Sequence, residues 1–401
     1  MIPARAVVCL GISQLIGWGI SFYLIGNFGP AIQAETGWSA ADVYGGFSGA
    51  IICMALASPL GGRAIDRWGG HRVMPAGAIL MSLGCLGLAA SHHLTAYYAA
   101  WAILGVGMRL CLYDAAFAAL ARIGGVRART AMSQITLFGG LASTTLWPAG
   151  QAMAAAWGWR GAVCAYAALA LAIIPLYRAL PARAHTPGPE DAQPGMPPPR
   201  APGTRVDQAL YALVAMLSNF LTAGNATHLI ALLTGLGQST QAAVGIAALW
   251  GMGQVGARLL EVLFGRRLHP MLLNTLTSAA LPLCFLAGLA GGHYAAAAAF
   301  TLCYGACNGL LTITRGTLPL VLFEPRRYGA LVGRLLVPGF LLTAAAPSAY
   351  AWIIGYGGPR AAMALSASCA LAILLASLWL ARRYRGRGAA ARAPSALPRG
   401  R

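Results

Sequence analysis

The chain contains no lysine: all 28 of its basic residues are arginine. That excludes Schiff-base chemistry and lysine acid–base catalysis, and any cation embedded in the fold must be a permanently charged guanidinium. Charge of either sign is scarce. Only 9% of the 401 residues are charged, against about 25% in a soluble domain, and only nine are acidic. Too few polar side chains remain to build a water-facing globular surface. The nine cysteines form no CxxC pair and most lie inside apolar runs, which argues against a thiol metal centre or a disulfide framework. Cys303 and Cys307 read as small packing residues. The sequence also lacks a phosphate-binding glycine loop, a metal-ligand cluster and a nucleophile–base constellation. No enzyme and no cofactor are expected.

Apolar sequence is abundant instead. Hydrophobic residues make up 58% of the chain, in runs of 18 or more that recur along its whole length. Such runs mark membrane-spanning helices. Twelve are expected: 6–30, 43–62, 73–91, 94–121, 131–156 and 161–180, then 207–234, 240–264, 271–290, 294–322, 329–355 and 360–381. This gives an N-terminal six-helix bundle over 1–180 and a C-terminal one over 207–381. Residues 181–206, rich in proline and glycine, form the linker, and 382–401 form a basic tail. The formal charge of +19 does not indicate nucleic acid, because no basic segment adjoins stacking aromatics in a soluble module. The arginines collect in alternate loops, with only Arg160 and Arg360 on the other side. By the positive-inside rule both termini and the linker face the cytoplasm.

The two halves repeat. Phe22, Gly26 and Asn27 align with Phe220, Gly224 and Asn225, Trp147-Pro148 with Ala346-Pro347, and WGWR at 157–160 with YGGPR at 356–360. A shift of 195 pairs Asp66 with Glu261 and Arg72 with Arg267, whereas a shift of 200 pairs Asp66 with Arg266. Both registers stay open. Between the second and third runs stands GGRAIDRWGGHR, residues 61–72, where Gly62, Asp66, Arg67, Gly69 and Arg72 fall at set spacings.

This stretch resembles the signature loop of the major facilitator superfamily, roughly G-x-x-x-D-R-x-G-R-R, with Gly70 and His71 replacing its following basic residues. The resemblance covers essentially the whole chain. It implies an all-α polytopic membrane protein of two parallel six-helix repeats, alternating access between them, and a loop that latches the halves on the cytoplasmic side. Glu261 and Arg267 are expected to belong to a degenerate second copy of that loop. Gly37-Trp38-Ser39 and PLGGRAIDRWG are similar to the monocarboxylate and oxalate/formate branch. That branch typically carries an acid one turn before an arginine in helix eight. Here Arg258 is preceded by Gln254, which departs from the pattern.

Embedded charges are costly and therefore functional candidates. Arg109 reads as a substrate or coupling residue, or else as half of a structural ion pair. Asp114, about 140° around a continuous helix from Arg109, is a candidate proton carrier. Arg258 reads as an anion ligand or as half of a gating ion pair with Glu261 or another helix, and Arg315, four residues before Pro319, as a gate or binding wall or as a snorkelling cation. Asn27, Tyr113, Gln134, Trp147, Asn225, His228, Gln254 and Asn308 are candidates to line the cavity, or else to pack helices.

The leading expectation is a secondary transporter for a small organic anion such as a monocarboxylate. It would lie in a bacterial inner membrane as a monomer, with a proton as the coupling ion to test. Efflux of drug-like or amphipathic compounds is the alternative, although GGLASTTLWPAG matches the antiporter signature of helix five poorly. A membrane sensor would carry a soluble output domain, and the tails are too short for one.

Overall fold

Glycine and serine, more than polar loops, punctuate this chain. A computed structural model describes residues 2–185, 203–265 and 268–390. Arg267 lies outside the described residues, as do 186–202 of the expected linker and 391–401 of the expected tail. The described residues form helices and turns: α1 Ala4–Ile20, α2 Leu24–Thr36, α3 Ala40–Trp68, α4 Gly70–Ala90, α5 Leu94–Cys111, α6 Tyr113–Gly124, α7 Arg129–Gly140 and α8 Ala142–Ala172. They continue with α9 Ile174–Arg178, α10 Arg205–Gly235, α11 Thr240–Phe264, α12 Pro270–Leu289, α13 Tyr294–Leu322, α14 Tyr328–Leu335 and α15 Val337–Ala390.

Nine helical stretches among the described residues are long and apolar enough to cross a membrane. Two of them, Leu94–Arg178 with 85 residues and Pro325–Gly386 with 62, far exceed the roughly 20 that one crossing needs. They break at glycines with positive φ: Gly125 (53°) and Gly158 (70°) in the first, Gly358 (74°) in the second. Cut there, the stretches agree with twelve crossings. Side chains such as Leu56, Phe264 and Tyr356, 70%, 73% and 81% exposed, face outward where lipid would cover them. The protein is a multi-pass membrane protein.

Helix ends carry the internal repeat. Ser39 and Ser239 cap α3 and α11 by accepting from the amides of Asp42 and Ala242. Gly37 and Gly237, just before them, both have positive φ, and α4 and α12 begin at Gly70 and Pro270. Gly158 (ψ 167°) and Gly358 (ψ 177°) share one backbone conformation. All these pairs are 200 residues apart. The register of 195 therefore fails at this loop, because caps at both ends of the helix repeat at 200. Glu261 stands opposite Gly61 rather than opposite Asp66.

The conformation at Gly158 is essentially reserved for glycine, although a Cβ there would meet nothing within 4 Å. Gly158→Ala is therefore expected to cost about 1–3 kcal/mol from backbone strain alone. A lowered thermal unfolding midpoint in detergent checks this, and an unchanged midpoint would refute it.

The fourth expected span differs from its expected form. The run 94–121 is interrupted at Leu112 (φ −77°, ψ −171°), so Arg109 closes α5 and Asp114 opens α6. The 140° separation of a continuous helix does not apply. Each charge instead sits at the helix end whose dipole favours it.

Buried apolar side chains form two clusters. One is built from α1 to α9, with Phe28, Met81, Trp101, Phe117 and Tyr166 among its members. The other is built from α10 to α15, around Ile246, Phe285, Phe300, Tyr304 and Tyr350. Residues of the second half depart from this division: Ala215, Leu320, Tyr328, Val332, Leu336 and Phe340 bury into the first cluster. Arginine-bearing segments gather at one end of the bundle. Arg122 Nε donates to the Asp66 carbonyl at 3.0 Å, the His185 amide donates to the Arg122 carbonyl, and Arg383 pairs with Asp207 at 2.9 Å. At the opposite end Arg160 is neutralised by Glu35 at 2.7 Å.

Candidate functional site

The halves meet along a seam at the arginine-rich end, where α3 lies against α14 and α7 against α11 and α13. Asp66 makes one contact across it. The carboxylate accepts from the amides of Gly329 at 2.9 Å and Ala330 at 2.7 Å, at the start of α14. Unpaired amides and the positive end of the helix dipole make this a natural seat for an acid. One turn along α3, Gly62 touches the Gly329 carbonyl so closely that a Cβ would collide with that oxygen and carbon. Gly69, at φ 82°, turns the chain from α3 into α4. Arg67 and Arg72 stay exposed, and Arg67 lies over the Trp68 ring at 5.5 Å.

Losing the Asp66 charge removes a charge-assisted acceptor worth about 1.5–3 kcal/mol per bond, and an asparagine oxygen replaces it only in part. Asp66→Asn is expected to slow turnover about tenfold with KM changed less than about twofold, the loss falling on seam closure rather than on binding. A rise in KM at normal turnover would contradict this.

Deeper in the seam stand the embedded arginines. Arg109 Nε donates to Ser58 Oγ at 2.8 Å and Nη2 to the Ser58 carbonyl at 3.2 Å. Ser58 Oγ in turn donates to the Gly333 carbonyl of α14 at 2.7 Å. On the other flank Arg258 Nη1 donates across the seam to the Thr136 carbonyl at 3.2 Å, which also accepts from Tyr113 Oη at 3.0 Å. Glu261 faces Arg129 of α7 at 3.8 Å, and Arg129 donates to the Gly265 carbonyl at 3.0 Å. Arg258 and Glu261 thus take different partners. Arg315 Nη2 faces Asp114 Oδ1 at 3.5 Å across the seam, and its Nη1 donates to Asn219 Oδ1 at 2.9 Å. Helix α13 continues through Pro319.

Apart from the Arg129–Glu261 pair, three embedded guanidinium groups among the described residues (Arg109, Arg258 and Arg315) stand at the seam with one carboxylate, Asp114, which faces Arg315. Arg109 Nη1, Arg258 Nε and Arg315 Nε are buried donors with no partner among the described residues. A buried donor left unbonded is costly, and a forked guanidinium is matched by a carboxylate. Aromatic rings lie beside them. Tyr113 stacks on Phe117 at 5.6 Å between centroids and tilts against Trp18 at 4.9 Å. Helix breaks surround the same region, between α1 and α2, at Leu112, at Leu141, and at Leu336. Interrupted helices of this kind line binding sites in transporters.

The remaining candidates fall into two groups. Asn27 donates to the Trp147 carbonyl and to Tyr166 Oη, both at 3.3 Å, and accepts from Gln151 Nε2 at 2.7 Å. Asn225 donates to Tyr350 Oη at 3.1 Å and Ser366 Oγ at 3.3 Å. Both asparagines are helix-packing nodes inside one half. His228 Nε2 meets the Pro347 carbonyl at 2.9 Å, also within one half. The Trp147 ring is 42% exposed and lies beside Gly26. Asn308 accepts from Thr222 at 2.6 Å and lines, with Asn219, Asn274 and Arg315, a cavity of about 20 Å³, room for one water. Gln134 and Gln254 are half-buried, and their side chains make no hydrogen bond among the described residues. Sequence reasoning missed Ser58, Asn219, Thr136 and Arg129 at the seam. Serine, threonine and asparagine in apolar helices are common, a backbone carbonyl carries no sequence signal, and Arg129 reads as one more loop arginine.

Residues 10–263 match the Major Facilitator Superfamily. The human monocarboxylate transporter 11 is 29% identical over 254 residues, covering 60% of this chain and 52% of the relative, so the chain spans about half the length of the curated relative it matches. Among solved structures, the human organic anion transporter MFSD10 (TETRAN) superposes with a TM-score of 0.72 at 18% identity, over 94% of this chain and 100% of that one. The proton:xylose symporter XylE gives 0.73 at 13% identity, over 94% of each chain. The E. coli fucose:proton symporter FucP gives 0.69 at 15% identity, over 94% and 98%. At these identities the likeness is one of fold.

Proposed function

This chain belongs to the Major Facilitator Superfamily, and from that premise we propose that it is a secondary active transporter for a small organic anion, a monocarboxylate or a close analogue, working by alternating access. The observation that carries the reading is the set of unpartnered donors on Arg109, Arg258 and Arg315, buried where the two halves meet. A carboxylate entering between the halves would satisfy these donors and offset the excess of guanidinium over carboxylate. The matched relative's name supports the same substrate class.

The arginine-rich end is the cytoplasmic one, by the positive-inside rule. Both termini lie there, and the membrane is a bacterial inner membrane. With the seam shut at that end, the conformation faces outward. The transporter acts as a monomer, and the division at 181–206 separates the two bundles that rock against each other. In this reading Asp66 with Gly62, Arg67, Gly69 and Arg72 forms the cytoplasmic latch, and Glu261 with Arg129 holds its second flank.

Asp114 supplies the coupling step. While ionised it holds Arg315 across the seam; once protonated it releases Arg315 to the substrate carboxylate. Uptake of labelled monocarboxylates into proteoliposomes tests the substrate class: saturable uptake is expected, and no uptake of any member of a carboxylate panel would overturn it. Asp114→Asn tests the coupling. Accumulation driven by a pH gradient should vanish while equilibrium exchange stays within about threefold, since only the differential affinity of the two protonation states drives the shift. An unchanged pH dependence would remove Asp114 from the coupling.

A further inference from the structure

Beside the latch, and sharing Asp66 and Arg67 with it, lies a second feature of the arginine-rich end. A groove of about 770 Å³ opens between the two halves there. One wall, from α3, carries Arg63 and Arg67; the other, from the turn 325–327 and α14, carries Arg326, Arg327 and Arg334. The acids in the lining are Asp66 and Glu324. Asp66 already accepts two α14 amides. Among the described residues none of the five guanidinium groups makes an ion pair. Arg63 spends its Nε on the Pro59 carbonyl at 3.1 Å, which leaves both terminal nitrogens free to fork.

The positive-inside rule explains arginines at this end, but not five of them converging on one concave surface from both halves. Like charges facing each other across a groove repel, and a polyvalent anion between them relieves that repulsion. Guanidinium groups match phosphate oxygens in bidentate pairs, and basic pockets at the cytoplasmic ends of membrane helices suit phosphate headgroups.

We propose that this groove is a binding site for a phosphate-bearing anion, and that its occupant clamps the seam shut. The two walls belong to different halves, so the groove exists only while α3 and α14 are together. By linkage, whatever binds it favours the conformation closed at this end. The shared chemistry is the phosphate, and the occupant is either a lipid headgroup or a free phosphate.

The test uses the purified full chain and reads hydrogen exchange of the α14 amides together with the thermal midpoint. One arm compares nanodiscs of phosphatidylcholine with nanodiscs containing phosphatidylglycerol. The other adds inorganic phosphate in detergent, against chloride at equal ionic strength. An anion present at about ten times its dissociation constant should slow α14 exchange about tenfold and raise the midpoint. The triple variant Arg326→Gln/Arg327→Gln/Arg334→Gln should lose this response. So should the opposite wall, Arg63→Gln/Arg67→Gln, which guards against a folding defect in the first variant. Arg382→Gln/Arg385→Gln, outside the groove's lining, should keep it. A response to phosphatidylglycerol alone assigns the lipid, and a response to phosphate assigns the free anion. No response in either arm, or one that both wall variants retain, overturns the proposal.

Discussion

Arg258→Gln is expected to reduce uptake of the proposed organic anion about 100-fold, as losing one partner of the buried charge pair it would form with a substrate carboxylate costs about 3 kcal/mol. The reasoning starts from placement. Arg258 is 4% exposed, donates through Nη1 to the Thr136 carbonyl, and keeps Nε without a partner among the described residues. It therefore has one arm on the seam and one donor to spare for substrate. A glutamine side chain stops two atoms short of Nη1, so the charge, the fork and the contact to the Thr136 carbonyl are lost together. Arg258→Lys separates these contributions. It restores the charge as a point cation without the planar fork, and should recover only part of the uptake. Proteoliposomes reconstituted with matched amounts of folded protein check this, and uptake by Arg258→Gln near the unsubstituted level would remove Arg258 from the substrate site.

Gly62→Val should be nearly as damaging, by a different route. A Cβ at position 62 collides with the carbonyl carbon and oxygen of Gly329, which are backbone atoms of the opposing half and cannot swing aside as a side chain would. The seam then closes only by displacing α14. Overpacking of a tight contact costs about 1–3 kcal/mol, and the β-branched side chain places it at the upper end, so the closed conformation becomes roughly 100-fold rarer and the transport cycle slows in proportion. Hydrogen exchange should quicken in Tyr328–Leu335, while the folded fraction by circular dichroism stays the same. Gly62→Ala should give a smaller loss in the same direction. If Gly62→Val cycles normally with α14 still protected, the close contact is not needed for turnover.

Several structural features could be seen in advance because they depend on composition and chain-local chemistry. Long apolar runs must become helices in a bilayer, where each backbone group has to be satisfied within its own segment. Turn and cap residues repeat as well as runs do. WGWR at 157–160 and YGGPR at 356–360 were aligned by sequence, and Gly158 and Gly358 adopt one backbone conformation. The break at Leu112 was not legible. No proline or glycine marks it, and periodicity alone carries a helix straight through from Leu94. The register of the second loop was misleading for the opposite reason: glycines and arginines are frequent enough to align at 195, and only the helix caps decide for 200.

The repeated asparagines show where likeness in sequence stops. Asn27 and Asn225 both bond a tyrosine hydroxyl, but Tyr166 comes from α8 beyond Gly158, and Tyr350 from α15 before Gly358. Gly150 makes room for the first ring and Gly224 for the second. Duplicated positions have kept the bond and exchanged the helix that supplies it, which no pairwise alignment of the halves would foretell.

By itself the sequence determined that this chain crosses a membrane many times, that its halves are related, and that an acid and several arginines crowd the turn after the second run. Those properties follow from hydrophobicity, spacing and residue type, which act locally. The tertiary structure alone decided what the charges touch. Asp66 reaches past its neighbours Arg67 and Arg72 to the amides of Gly329 and Ala330, Asp114 faces Arg315 rather than a partner on its own helix, and Arg258 bonds a carbonyl of α7. These partners lie more than a hundred residues apart in the chain, and they meet because the two bundles close on one another at that end.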